Sequence, residues 1–156
     1  MNTINVGIAE AKAAKNPTTL VTIGLGSCIG IALYDAKLKV GALVHVMLPS
    51  SKEAADSSNP AKFADTAIPY ALDLLKKYGT SPRRLTAKIA GGANMFSLTF
   101  QNPIGERNIK AVKEALRKHG IKIVGEDVGG NVGRTMKFDL TTGKVIIRTS
   151  KGEKEI

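Results

Sequence analysis

Apolar positions in this chain fall mostly into short runs of strand length, and twice they recur with helical spacing. Residues Ile4 to Ala9 predict a short first strand, and Leu20 to Gly24 a second that ends in glycine. Cys28 to Tyr34 and Val40 to Met47 follow as two alternating segments joined by Asp35-Ala36-Lys37-Leu38-Lys39, the pattern of a β-hairpin. The polar, small stretch from Ser50 to Pro60 reads as a mobile loop and, directly after the hairpin, as a substrate-facing flap. A helix is expected from about Ala61 to Tyr78, with Ala64, Ala67, Ile68, Ala71, Leu72 and Leu75 on one face and Gly79 as its stop. Pro69 should kink it or split off its first turn.

Arg84 to Ala90 predicts a strand, followed by a loop from Gly91-Gly92 through Asn102. A second helix spans about Ile104 to His119, with Ile109, Val112 and Leu116 inward and Gly120 as its stop. Strands follow at Ile121 to Asp127, Arg134 to Leu140 and Lys144 to Thr149. The strand–helix–strand from Arg84 to Asp127 is a candidate right-handed parallel crossover, and the remaining pairings read as antiparallel. The sum is one mixed α/β domain over residues 1–156, a layered arrangement with a largely antiparallel sheet and two main helices.

Alternation within the hairpin restricts its register. Ile29, Ile31 and Leu33 form one apolar face with Ala42, Val44 and Val46 only if odd residues of the first strand pair with even residues of the second. That parity puts Cys28 and His45 together on the opposite face. One offset sets them directly across from each other, with Cβ atoms roughly 5 Å apart. The other makes them a diagonal pair at roughly 7 Å, still spanned by the two side chains. A bulge would break either arrangement.

Composition narrows the setting. A chain of 156 residues that is 43 % hydrophobic can bury a core of its own. Its single cysteine forms no internal disulfide, so a reducing compartment is expected. The N-terminal residues lack the plan of a signal peptide and no run reaches the ~20 apolar residues of a membrane helix, so the expectation is a cytoplasmic protein without membrane insertion. The net charge of +10 makes nucleic acid the first partner to consider. The basic residues are scattered, tryptophan is absent, and the Phe and Tyr residues lack a stacking pattern, so no nucleic acid partner is expected. An acidic protein surface fits the charge equally well.

The candidate chemistry centres on Cys28. A lone cysteine is commonly a small buried hydrophobe. The hairpin argues for a nucleophile instead, because it brings a thiol to an imidazole that can lower its pKa and later protonate a leaving amine. Gly24, Gly26 and Gly30 permit tight backbone geometry, and amide groups at the turn, including that of Cys28, are candidates to hold an oxyanion. No Asp or Asn lies in these strands to orient the imidazole, which leaves Thr22 and Ser27 as the local hydroxyls. Gly24-x-Gly26 fails as a dinucleotide fingerprint because Ile29 stands where a third glycine is required. Gly91-Gly92 and Gly129-Gly130 read as sharp turns before anion nests. His119 complements a helix C-terminus, and the Cys and His spacing supports no metal site.

Five segments taken in order resemble the CheD family of chemoreceptor glutamine deamidases. They are Thr22 to Cys28 (TIGLGSC), His45 to Pro49 (HVMLP), Lys88 to Phe96 (KIAGGANMF), Ile104 to Asn108 (IGERN) and Glu126 to Asn131 (EDVGGN). The resemblance runs from about residue 4 to residue 150. It implies a cysteine-hydrolase fold of layered α/β type, similar to the catalytic domains of deamidating toxins. It also implies Cys28 as nucleophile, His45 as base and Thr22 as the third member; Ser27 and Gly26, from the turn itself, are candidates to position the oxyanion or the substrate. Its implied partners are the cytoplasmic domain of a chemoreceptor (a methyl-accepting chemotaxis protein), whose glutamines are the substrate, and the phosphatase CheC. No cofactor or metal is implied. A different thiol amidase or peptidase, and a basic binding module without catalysis, are the alternatives.

Overall fold

The computed structural model describes residues 2–94 and 103–156. Ten strands build two five-stranded sheets. The first sheet has the order β1 (Asn2–Asn5), β3 (Thr18–Leu25), β8 (Arg134–Asp139), β9 (Val145–Thr149), β10 (Gly152–Glu155). The second has β2 (Ala11–Lys15), β5 (Val40–Val46), β4 (Ile29–Asp35), β6 (Thr86–Gly91), β7 (Lys122–Val128). Two helices, α1 (Ala64–Lys76) and α2 (Ile104–Lys118), cover the outer face of the second sheet.

The layered α/β expectation holds, with a refinement: the strands form two stacked sheets where one was expected. The reason lies in β4 and β5. Ile29, Ile31, Leu33, Ala42, Val44 and Val46 pack under Ala64, Ala67, Ile68, Leu75, Val112 and Leu116 of the helices. On the other face Ala32 and Leu43 pack against Leu20, Leu25, Met136 and Phe138 of the first sheet. Small and aliphatic residues at both parities let this hairpin be buried on both sides, whereas alternation alone suggests one wet face.

The hairpin register is the expected one: Ile29 pairs with Val46, Ile31 with Val44 and Leu33 with Ala42. Of the two allowed offsets the diagonal one is realised, and Gly30 stands opposite His45. The crossover β6–α2–β7 is parallel, as its pattern predicts. One pairing differs from expectation, because β1 runs parallel to β3. The first strand ends at Asn5, short of Ala9, and the chain then turns to enter β2 in the other sheet. Strands β2 and β10 are absent from the periodicity reading: AKAAK and GEKE carry little apolar alternation.

The start of the first predicted helix is set off from the rest. Pro60–Lys62 is a 3-10 turn, Phe63 is extended, and Pro69 lies inside an otherwise continuous α1. The segment from Ser50 to Pro60 is anchored at both ends: Asp65 accepts from the Ser51 N–H and hydroxyl at 3.0 and 2.8 Å, and Asn59 Nδ2 donates to the Ala9 carbonyl at 3.0 Å. The part of the predicted Gly91-to-Asn102 loop that covers 95–102 lies outside the described residues.

Stacking on both faces leaves little room in the hairpin. A Cβ on Gly41 would sit 2.5 Å from the Leu33 carbonyl oxygen and 2.9 Å from Phe138 Cζ. Gly41→Ala is therefore expected to lower unfolding free energy by about 1–3 kcal/mol, read as a reduced denaturant midpoint at unchanged m-value.

Candidate functional site

At one end of the sandwich the chain passes between the sheets three times, and two of these passages border the candidate site. The first passage, Val6 to Glu10, joins β1 to β2, and the second, Gly26 to Cys28, joins β3 to β4. Both flank the inter-sheet space into which His45 and Thr22 project.

Thr22 comes from β3 and reaches His45 because β3 alternates. Leu20 and Thr22 point inward from the first sheet, and a bulge between Thr22 and Leu25, with Gly24 at φ 80°, returns Leu25 to the inside. Thr22 and His45 are 1 % and 0 % exposed. Thr22 Oγ1 lies 2.7 Å from His45 Nδ1 and 2.7 Å from the Val6 carbonyl oxygen. A carbonyl oxygen only accepts, so the single hydroxyl proton goes to Val6. Thr22 Oγ1 must then accept from Nδ1–H, which fixes the imidazole tautomer and leaves Nε2 with a free lone pair. Among the described residues Nε2 is buried and has no hydrogen-bond partner. The backbone of His45 is held as well, its N–H donating to Glu10 O and its carbonyl accepting from Ala9 N–H, both at 3.0 Å.

Cys28 lies half-buried just before β4, packed against the inter-sheet cluster and thus on the face that carries His45. The loop that presents it is fixed through its carbonyls. Gly26 O accepts from Ala93 N–H at 2.8 Å, Ser27 O from Asn108 Nδ2 at 2.9 Å, and Cys28 O from Gly92 N–H at 2.9 Å. Gly91 must be glycine at this junction, because its φ is 113° and a Cβ would collide with the Cys28 carbonyl oxygen. The Gly26 N–H is used on Gly24 O at 3.1 Å. Among the described residues the N–H groups of Ser27 and Cys28 make no hydrogen bond to the protein.

Burial acts on both titrating groups in the same sense, against charge. It pushes the Cys28 thiol above its ordinary 9.0 and holds His45 below its ordinary 6.5. Burial thus works against the charge separation by which an imidazolium would depress the thiol, the arrangement expected from the sequence.

Thr22, His45, Cys28, Ser27 and Gly26 thus converge on one end of the sandwich. Three supporting groups escape the sequence reading. The Val6 carbonyl carries no side-chain signal. Asn108 is the one polar residue on an α2 stripe otherwise made of Gly105, Val112, Ala115 and Leu116, and that break in the apolar pattern was legible. Arg134 is buried and donates to Asp127 Oδ2 at 3.1 Å and Gly129 O at 2.8 Å, with a longer contact to Gly91 O at 3.4 Å. It thereby braces the glycine turns that hold the Cys28 loop. Both glycine pairs are turns, as read: Gly129 N–H donates to Gly91 O and Asn94 N–H to Gly130 O, each at 2.9 Å. Among the described residues no three His, Cys, Asp or Glu side chains gather at metal-binding distance.

A half-buried thiol on the same face as a buried, hydroxyl-oriented imidazole, carried on a two-sheet layered α/β scaffold, is the arrangement of a candidate thiol–imidazole enzyme. Comparison with known proteins gives the family. The family model described as CheD chemotactic sensory transduction matches residues 47–149. That match begins beyond His45, but full-length relatives extend it. A protein of Desulforamulus reducens is 54 % identical over 94 % of this chain and 90 % of its own length. A protein of Clostridium novyi is 52 % identical over 94 % and 92 %. One of Caldanaerobacter subterraneus is 51 % identical over 94 % and 92 %. Each is called a probable chemoreceptor glutamine deamidase CheD. The chain belongs to the CheD family. A Neisseria meningitidis protein of family DUF152 shares the fold at TM-score 0.51 and 8 % identity, over 84 % of this chain and 63 % of that one.

The effect of burial on these two groups has a measurable consequence. Below pH 6.5 the unfolded chain binds a proton at His45 that the folded chain refuses, so stability falls as pH drops through that value. Above pH 9.0 the unfolded chain loses the Cys28 proton that the folded chain keeps, so stability falls again. Denaturant midpoints measured across pH should show the acid decline flattened in His45→Gln and the alkaline decline flattened in Cys28→Ala.

Proposed function

We propose that this chain, as one domain spanning residues 1–156, is a protein-glutamine deamidase that converts glutamines of chemoreceptor cytoplasmic helices to glutamate. The observation that carries the reading is the Thr22–His45 hydrogen bond at 2.7 Å, which leaves His45 Nε2 unpartnered on the face that Cys28 shares. The names of the relatives supply the substrate class.

In the first half-reaction the Cys28 sulfur attacks the side-chain carbonyl carbon of the glutamine while His45 Nε2 takes the thiol proton. Charge on the carbonyl oxygen falls to the N–H groups of Cys28 and Ser27, which have no acceptor among the described residues. His45 then returns its proton to the departing nitrogen, ammonia leaves, and a thioester to Cys28 remains. Water attacks the thioester with His45 as base, producing glutamate and the free thiol. Thr22 and the Val6 carbonyl keep the imidazole in the tautomer that allows both proton transfers. The charge of +10 favours approach to an acidic receptor surface. Chemotaxis regulation, work in the cytoplasm and binding of a CheC-type phosphatase belong to the same reading. No helix among the described residues is long and apolar enough to cross a membrane.

Incubation with a soluble chemoreceptor cytoplasmic fragment, followed by ammonia detection and mass spectrometry, tests this. The expected product carries amide-to-acid conversions with an intact backbone, and Cys28→Ala should lose at least about 10³-fold in rate. Full deamidation by Cys28→Ala would sink the reading, and chain cleavage would turn it into a peptidase. Thr22→Val, which keeps the shape and removes the hydroxyl, should lower kcat by about 10²-fold in the same assay.

A further inference from the structure

Strand pairing between β4 and β5 stops at Ile29 and Val46, so the next facing positions, Cys28 and Met47, lie beyond the ladder. A side chain from α2 closes that gap. Asn108 Nδ2 donates one proton to Ser27 O and the other to Met47 O, both at 2.9 Å. Ser27 directly precedes the thiol residue, and Met47 follows the imidazole residue by two. We infer that Asn108 is a positioning residue that clasps the nucleophile loop to the strand carrying the base.

The residue type fits that role. A primary amide offers two donors on one uncharged nitrogen, as two converging carbonyls require. Lysine or arginine would bring a buried charge, and serine has a single donor. Asn108 is 0 % exposed, and its Oδ1 is buried without a partner among the described residues. A residue that only filled space here would be apolar, like Val112 one turn further along the same stripe. The fold carries an orphan acceptor together with two well-used donors. With Ser27 O drawn toward α2, and Gly26 O and Cys28 O held by Ala93 and Gly92, the three loop carbonyls are all engaged by protein donors. That frees the opposite edge of the peptide planes, the N–H groups of Ser27 and Cys28, for a substrate oxygen. Gly105 supports the clasp from the same helix: a Cβ there would sit 2.5 Å from Gly92 O, so the first turn of α2 rests directly on the loop backbone.

This inference depends on Cys28 and His45 acting as proposed, and the experiment separates the two. Asn108→Leu, Val112→Ala and Cys28→Ala are compared with the parent chain for deamidation of a chemoreceptor fragment, for thermal stability, and for the pH midpoint of Cys28 alkylation by iodoacetamide. Val112→Ala creates a core cavity in the same helix without touching the loop. Asn108→Leu should lower kcat by about 10²-fold with KM within about twofold, while the alkylation midpoint moves down toward an ordinary thiol as the loop opens to water. Unfolding would also expose the thiol and cost activity, so both readouts are taken well below each variant's thermal midpoint, where Val112→Ala reports what destabilisation alone does. Should Asn108→Leu fail to fold, Asn108→Ser, which leaves room for water on both carbonyls, takes its place with the same expected directions. The proposal is overturned if the Asn108 variant keeps the parent kcat and midpoint, or if Val112→Ala reproduces both changes. If Cys28→Ala remains active, the nucleophile reading itself fails. If Cys28→Ala is inactive and the Asn108 variant is normal, the clasp alone fails.

Discussion

A histidine buried on a strand covered on both faces must have its ring oriented from within the protein, and that requirement organises this end of the molecule. His45 has the helices behind its strand and the first sheet in front. Water cannot orient it, so a group on the facing sheet must do so. Thr22 can serve because β3 is parallel to β1, which carries the chain to Val6, and the Val6 carbonyl takes the hydroxyl proton. The direction of that one proton fixes the next: Thr22 accepts, Nδ1 donates, and Nε2 is left basic. Carboxylates perform this duty in many hydrolases. Here a neutral hydroxyl suffices to set the tautomer, and it adds no charge that would stabilise an imidazolium at rest. Burial between the helices and the first sheet holds the His45 pKa below its ordinary value.

The cysteine is positioned by a different device. A strand would fix it through ladder hydrogen bonds, but Cys28 stands one residue outside β4. The loop is fixed instead by three carbonyls bonded to three donors from two elements: Gly92 and Ala93 after β6, and Asn108 on α2. Those donors are themselves braced. Arg134 and the Gly129-Gly130 turn hold Gly91 and Asn94, so the path of support runs from β8 through two glycine turns to the thiol. Three of the five segments that carry the family resemblance, around Gly91, Asn108 and Gly129, contain no nucleophile or base. The first two bond directly to the Cys28 loop and the third braces the first, which gives all three a physical role beside Cys28.

Much of this was legible in the sequence. Parity in the hairpin restricted the register to two offsets, and the structure holds one of them. The β6–α2–β7 crossover followed from a strand, a helical stripe and a strand in order. What stayed hidden was of three kinds. The second sheet was obscured because β4 and β5 are apolar at both parities, and a double-sided core looks like a single-sided one when half its residues are alanine or glycine. Strands β2 and β10 hold their places by pairing, with little side-chain patterning to announce them. The Val6 carbonyl belongs to the backbone, and backbone roles leave no trace in residue identity. Asn108 differs from these, since a polar residue at the centre of an apolar helical stripe is a visible break in pattern.

The two burial effects also bear on the choice of substrate. Burial that disfavours the Cys28 thiolate protects it from stray electrophiles, since thiol reactivity belongs to the thiolate. Attack on a carboxamide requires the proton to pass to Nε2 as the bond forms, so reaction depends on a carbonyl placed against both sulfur and oxyanion donors. Only a chain that seats its glutamine there supplies that geometry. On the proposed mechanism, selectivity among exposed glutamines therefore rests on how well a receptor helix docks against the loop, and not on the intrinsic reactivity of Cys28. The carbonyl-anchored loop is what makes such a demand possible, because a mobile thiol would accept many approaches and discriminate among few.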